Sequence, residues 1–260
     1  MLSKNLSLDL AIIGEIVKTF IVNPSLLFES RTARVMIAQH RLNLAKQKGF
    51  VNSLPDSVYN IKNTATHNLH NLSPSIAANR PMALLGPLLA IDKVAFNLKS
   101  LKVLIIGPRT EAEIFMYLDS GFAPGNIYAL DLITYSELIT QGDMHSMPFD
   151  DDFFDIIVFS WVLGYSNDQQ LAVNEAIRVV KCGGLLGIGE QWTPMDRDEV
   201  SSKMMENRGY SLKAVETRSS QDLEKLLGGN LKKTVFQTEP VSSEKSRVGW
   251  ITLIGEINKI

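Results

Sequence analysis

The chain has 260 residues, 45% of them hydrophobic, a net charge of −2 and an isoelectric point near 6.1, enough for one large domain with a sizeable core. No basic block is present, which argues against nucleic acid as a partner. The single cysteine, Cys182, excludes an intrachain disulfide and fits a reducing compartment, and no stretch approaches the roughly 20 apolar residues that stable membrane insertion needs.

Residues 1–98 read as mainly helical. In the run 8–22, Ile12, Ile13, Ile16, Val17, Phe20 and Ile21 recur at helical spacing, interrupted by Asp9, Glu15 and Lys18. The run lacks the charged start and small-residue cleavage site of a signal peptide, so the expected location is cytoplasmic. Its apolar stripe is expected to dock on the core; a homodimer contact through the N-terminal helices, or a membrane-surface face, is the alternative. Residues 31–47 predict a second helix with a basic polar side. The stretch from there to Pro74, rich in Asn, Ser and Thr, reads as a loop or a lid. Residues 81–99 predict a single helix carrying Leu84, Leu85, Leu88, Leu89, Ile91, Val94 and Phe96 into the core.

From Lys102 strands alternate with helices, the pattern of a mostly parallel sheet. Strands are expected at 103–106, 126–130, 155–161 and 185–189, with a brief third strand before Gly142. Helices are expected at 110–119 and 168–181, the latter stopped by Gly183 and Gly184. A helix at 220–227, stopped by Gly228 and Gly229, precedes a terminal hairpin of 233–238 and 249–257.

The most informative stretch is 142–184, GDMHSMPFDDDFFDIIVFSWVLGYSNDQQLAVNEAIRVVKCGG: an acidic loop, an apolar strand, a polar loop and an amphipathic helix closed by two glycines. It resembles the second half of the nucleotide-binding core of class I S-adenosylmethionine (SAM) dependent methyltransferases of the type 11 kind, whose adenine loop has the form GDxxxLPFxxxxFD. The resemblance covers residues 99–260. It implies an α/β, Rossmann-like sheet, mostly parallel with an antiparallel last strand, SAM as cofactor, and an N-terminal helical cap or lid over residues 1–98. By the same resemblance Asp143 accepts from the adenine amino group, Met144 packs on the ring, and Met147, Pro148 and Phe149 hold the loop.

The first strand and its turn, VLIIGPRTEAEIF, depart from the family's GxGxG: Gly107 remains, followed by Pro108, Arg109, Thr110 and Glu111. Thr110 and Glu113 have capping-box spacing. Two carboxylates at this helix start, Glu111 and Glu113, would repel a dinucleotide pyrophosphate but not the cationic SAM, which argues against NAD and against an NAD-linked oxidoreductase or epimerase. Arg109 could take the SAM carboxylate or an anionic substrate; a solvated loop arginine explains it equally well. Asp131, followed by Leu132, ends the second strand where the family's acid accepts from the ribose hydroxyls, although a strand-end turn also uses Asp.

The resemblance puts the chemistry at the ends of the fourth and fifth strands, where Ser160, Trp161, Tyr165, Ser166, Glu190, Gln191 and Trp192 stand. His145 is the best base by its ordinary pKa; Glu190 is the other candidate, with Tyr165 and Trp161 walling the pocket. His67 and His70, in THNLH, have ligand-like spacing but no supporting Cys or acid, so no metal is expected. The expected activity is methyl transfer from SAM, with oxygen preferred, to a small molecule or glycan precursor. The rival is a non-catalytic methyltransferase-fold binding protein, supported by the altered first turn.

Overall fold

The structure, a computed structural model, describes residues 10–54, 80–166, 168–192, 219–240 and 249–259. Of the stretch expected as a loop or lid, residues 55–74, with His67 and His70, lie outside the described residues, as does the segment following Trp192.

Val103–Ile106 forms β2, fully buried on both faces, as a run of Val, Leu and Ile does at the centre of a parallel sheet. It pairs in parallel with β3 (Ile127–Asp131) and β6 (Phe154–Ser160). β5 (Thr140–Gln141) adds to β3, and β7 (Val180–Trp192) to β6, again in parallel. β8 (Leu231–Thr238) and β9 (Gly249–Ile257) complete a seven-stranded sheet of order β5-β3-β2-β6-β7-β9-β8. β9 lies between β7 and β8, antiparallel to both. β1 (Asn52–Ser53) and β4 (Ile133–Thr134) form a separate small ladder.

Period-2 alternation along the strands builds two cores. Leu104, Ile106, Leu130, Ile157 and Phe159 face α7 (Gln169–Val179) and α8 (Ser220–Leu227). Val103, Ile105, Ala129, Ile156 and Val158 face the opposite layer, which holds α3 (Arg31–Gln47), α4 (Met82–Leu89) and α6 (Glu111–Asp119). Leu42 and Ala45 of α3, and Leu84, Leu85 and Leu88 of α4, share that second core.

Several local expectations are corrected. The 81–99 helix breaks at Ile91, which is extended; α4 ends at Leu89, α5 (Asp92–Ala95) follows, and Phe96 is 83% exposed rather than buried. The turn at Ala90 and Ile91 is closed by i→i−3 bonds to Pro87 and Leu88 carbonyls, which tighten and end the helix. The stripe on α1 (Leu10–Val22) is not covered: Ile13, Ile16, Val17 and Ile21 are exposed among the described residues. α7 stops at Val179 rather than running to Lys181. Its glycine pair instead turns an irregular start of β7, where pairing skips from Val180 to Leu185 and Gly183 takes a φ of +77°.

The basic side of α3 is used for docking, not solvation. Arg34 is buried against α6, bonded to Asp119 at 2.5 Å and to the Phe28 carbonyl in α2 (Leu26–Glu29). Arg41 grips the fully buried Glu111 with two bonds, Nε to Oε2 at 2.6 Å and Nη2 to Oε1 at 2.9 Å. A planar fork facing a carboxylate is the geometry arginine supplies and lysine does not.

Candidate active site

Apart from His67 and His70, the candidate residues named from the sequence stand at or just beyond the C-terminal ends of β2, β3, β6 and β7, or in the loop after β5. That edge is where open α/β sheets bind ligands, because the strand ends splay loops outward around a crevice.

At the β3 end, Asp131 Oδ1 accepts the Ile133 N–H at 3.0 Å. Burial pushes its carboxyl up to about 7, partly offset by the Ile133 N–H. The neighbouring Leu132 carbonyl is taken by the Leu54 N–H at 3.0 Å. The loop after β5 is held from beneath by α7. Arg178 donates to the carbonyls of Met147 (3.0 Å) and Phe149 (2.9 Å), while Glu175 Oε2 accepts the Met147 N–H at 2.9 Å. Tyr128, Phe149, Phe153 and Phe154 close the loop with edge-to-face contacts of 4.9–6.3 Å. Asp155, the last residue of the loop pattern, braces the sheet: it accepts the Lys102 N–H at 2.8 Å and pairs with Lys181 at 2.6 Å.

Within that loop Met144 is buried in the first core, and Asp143 faces His145. Asp143 Oδ1 lies 2.6 Å from His145 Nδ1, and His145 Nε2 lies 2.6 Å from the buried Ser166 Oγ. Ser166 Oγ also accepts the Asp168 N–H, at 3.0 Å. Both ring nitrogens of His145 are thus engaged in a chain from the adenine-type loop to the loop after β6.

The first turn is rebuilt around side chains. Gly107 has a φ of +68°, and a Cβ placed there would sit 2.6 Å from Val162 Cβ, so both conformation and space demand glycine. Pro108 is buried behind it. Thr110 caps α6 as expected, but by accepting the Ala112 N–H; the reciprocal half of a capping box is not made. Glu113 instead accepts the Arg109 N–H at 3.3 Å and the Ser160 hydroxyl at 2.7 Å, tying this turn to the end of β6. Burial raises the Glu113 pKa; the Ser160 bond, the Arg109 N–H and the charges of Arg109 and Arg80 oppose it. Glu111 points away, into Arg41. Of the two acids expected to guard this helix start, only Glu113 therefore lies at the crevice.

At the β7 end Glu190 is buried, with Oε1 accepting the Gly164 N–H at 2.8 Å. Its carboxyl is pushed up to about 7, chiefly by burial and against the Gly164 N–H and Arg80. Trp161 carries a φ of +57°, its ring lies 3.1 Å from where a Gly189 Cβ would stand, and its edge meets Trp250 at 5.6 Å. Arg80 covers that ring, its Cζ 5.3 Å from the centroid. Arg80 escaped the sequence reading. Arg80 sits outside every motif, its one signal being a lone cation before Pro81 at the head of an apolar helix.

Residues 118–188 match the sequence profile of the methyltransferase domain family. The chain is similar in structure to a chain of the complex between the Haloferax volcanii Trm112 methyltransferase activator and a methyltransferase: TM-score 0.53, 16% identity, covering 77% of this chain and 96% of that one. The chain shares that fold, and the methyltransferase profile falls on its stretch from the end of α6 to β7. Other similar structures are the YcgJ protein of Bacillus subtilis (TM-score 0.46, 16% identity, 68% and 99% of the two chains) and a SAM-dependent methyltransferase of Thermotoga maritima (0.44, 18%, 74% and 98%). No curated protein matches the chain. Among the described residues no helix is long and apolar enough to cross a membrane.

A ligand without phosphate, such as SAM, does not need the anion-binding helix start that a dinucleotide pyrophosphate uses, so the glutamates of this first turn are compatible with it.

Proposed function

We propose that the protein moves a methyl group from SAM to an oxygen of a small-molecule or glycan-precursor acceptor in the cytoplasm. The observation that carries this reading is Glu190: a buried carboxyl beside Trp161 and Tyr165, at the end of β7, with its pKa raised to about 7. A general base works best when its pKa lies near the working pH, and a neutral hydroxyl needs its proton removed as the new bond forms.

Asp131 would hold the ribose, Asp143 and Met144 the adenine, and Gly107, Pro108 and Arg109 with Leu132 and Glu113 the remaining wall of the cofactor cleft. When bound, SAM supplies an electrophilic methyl on a sulfonium, so the protein's task is alignment, exclusion of water and one proton transfer. Glu190 Oε1 is fixed by the Gly164 N–H, which leaves the carboxyl oriented for an acceptor proton. Trp161 and Tyr165 wall the acceptor space, and Ser160 fixes Glu113. His145 is the second base candidate. Its engagement by Asp143 and Ser166 suits it better to holding the two loops in register than to taking the proton. The exposed stripe of α1 is the surface by which a second copy would dock.

Incubating the full chain with isotopically labelled SAM and fractionated cell metabolites tests this. The expected product is a small hydroxylated molecule heavier by one methyl, with the label on oxygen by NMR. A chain that binds S-adenosylhomocysteine (SAH) yet methylates nothing would be the non-catalytic binding protein instead.

A further inference from the structure

Arg80 is the charge in this crevice that nothing in the fold explains. It precedes α4, whose Leu84, Leu85 and Leu88 are fully buried, so its backbone is fixed at the cleft rim. Its guanidinium stands over the Trp161 ring, Cζ 5.3 Å from the centroid, and is drawn down from its usual range, first by burial and then by the charge of Arg109. Trp161 is its one direct partner: Arg80 makes no side-chain hydrogen bond or ion pair among the described residues. The acids near enough to influence it are committed elsewhere. Glu113 is bonded to Ser160 and the Arg109 N–H, and Glu190 to the Gly164 N–H. A half-buried cation that no carboxylate pairs with, placed near a second arginine charge, gains from an anion that reaches both. The arrangement makes sense once an anion enters between them.

The position tells which ligand carries that anion. Asp131 and the Asp143 loop, the adenosine end, lie on the β3 side of β2. Trp161 lies over Gly189 of β7 and against Trp250 of β9, on the other side of β6. Arg109 stands at the first turn between the two sides; Arg80 covers the β7 side, next to Glu190. We propose that Arg80, stacked on Trp161, anchors a carboxylate or phosphate of the methyl acceptor, so the substrate is an anionic hydroxylated molecule whose accepting oxygen is presented to Glu190. A planar guanidinium gives two parallel donors to either anion, and an aromatic platform keeps it oriented. This deepens the methyl-transfer reading above and rests on it.

The test uses the full chain saturated with SAH and titrated with sodium phosphate or sodium acetate at constant ionic strength, following tryptophan fluorescence. Wild type is expected to bind at least one of the two anions in the millimolar range. Arg80→Gln is expected to weaken that anion at least tenfold, and Arg80→Lys, which keeps the charge but not the fork, at least threefold. The SAH affinity of both variants should stay within twofold of wild type, which also reports that they are folded; if the glutamine variant does not fold, the lysine variant decides alone. A preference for phosphate indicates a phosphorylated acceptor, and one for acetate a carboxylic acid. Anions that do not bind the SAH complex, or that bind the variants as well as wild type, overturn the proposal. So does a tenfold loss of SAH affinity in Arg80→Gln, because Arg80 then holds the cofactor's own carboxylate. Failure of wild type to bind SAH at all is a separate result, removing the methyl-transfer reading and the acceptor assignment with it.

Discussion

The β5 side of the crevice, our proposed adenosine end, and the β7 side, our proposed methyl end, are built by different means. At the adenosine end the loop after β5 is a backbone structure, its carbonyls and one N–H clamped by Arg178 and Glu175 of α7 and its base closed by four aromatic rings. At the methyl end the backbone pattern is degraded, and side chains take over: Glu113 joins Ser160, Glu190 joins Gly164, Val162 fills the space over Gly107, and Arg80 covers Trp161. Ionisable groups at the methyl end are buried without full pairing, the condition under which pKa values move toward neutrality. The two sides thus differ in what holds them, while a carboxyl raised to about 7 by burial stands on each, Asp131 at the end of β3 and Glu190 at the end of β7.

Four measurements would break or sharpen this division. The largest effect is expected from Glu190→Gln, a loss of about 10²–10⁴-fold in turnover with SAH affinity nearly unchanged. A variant that turns over within tenfold of wild type would remove Glu190 as the base and return the role to His145. Next, Arg178→Ala should cost about 2–4 kcal/mol of folding stability, the scale for losing two charge-assisted hydrogen bonds to the loop carbonyls. Urea denaturation checks it. A loss under about 1 kcal/mol would mean that the aromatic cluster alone holds the loop.

Asp131→Ala should weaken SAH by about 1–3 kcal/mol at pH 8, the scale for unpaired polar groups of a ligand, without unfolding the domain. The pH dependence carries its own sign. A carboxyl raised to about 7 in the folded chain binds its proton more tightly there than when unfolded, so its contribution to stability is full below about 4 and is lost as the pH rises through 7. Ribose hydroxyls donate to the ionised form, so SAH affinity should climb through the same window. Calorimetry from pH 5.5 to 8.5 tests this, and a flat profile in wild type would contradict the ribose role. The smallest effect is expected from Glu113→Gln, which keeps the bond from Ser160. SAH affinity should shift by less than about 1 kcal/mol, since a neutral acceptor replaces a group whose own pKa is already raised. A larger loss would show that the negative charge itself faces the cofactor.

The sheet, its order of strands and helices, and the loop after β5 were legible in the sequence because each rests on short-range regularities. Apolar runs of four to seven residues mark β2 and β6, Ser30, Thr110 and Asp168 cap helices at their predicted starts, and the GDMHSMPF string is contiguous. Periodicity also predicted amphipathic faces, yet it could not say what would cover them; Phe96 and the α1 stripe are exposed for that reason. The partners of the charged residues lay beyond any local reading. Glu111 meets Arg41 from 70 positions away, Glu113 meets Ser160 across 47, and Glu190 meets the Gly164 N–H across 26. Whether an acid ends as a buried ion-pair partner, a turn brace or a near-neutral base depends on its desolvation and on which distant donors reach it. By itself the sequence determined the α/β architecture and pointed to the cofactor class. The tertiary structure alone decided which carboxyls face the crevice and set Arg80 over Trp161 beside Glu190, because only the packed fold brings the ends of β2, β6 and β7 and the head of α4 to one place.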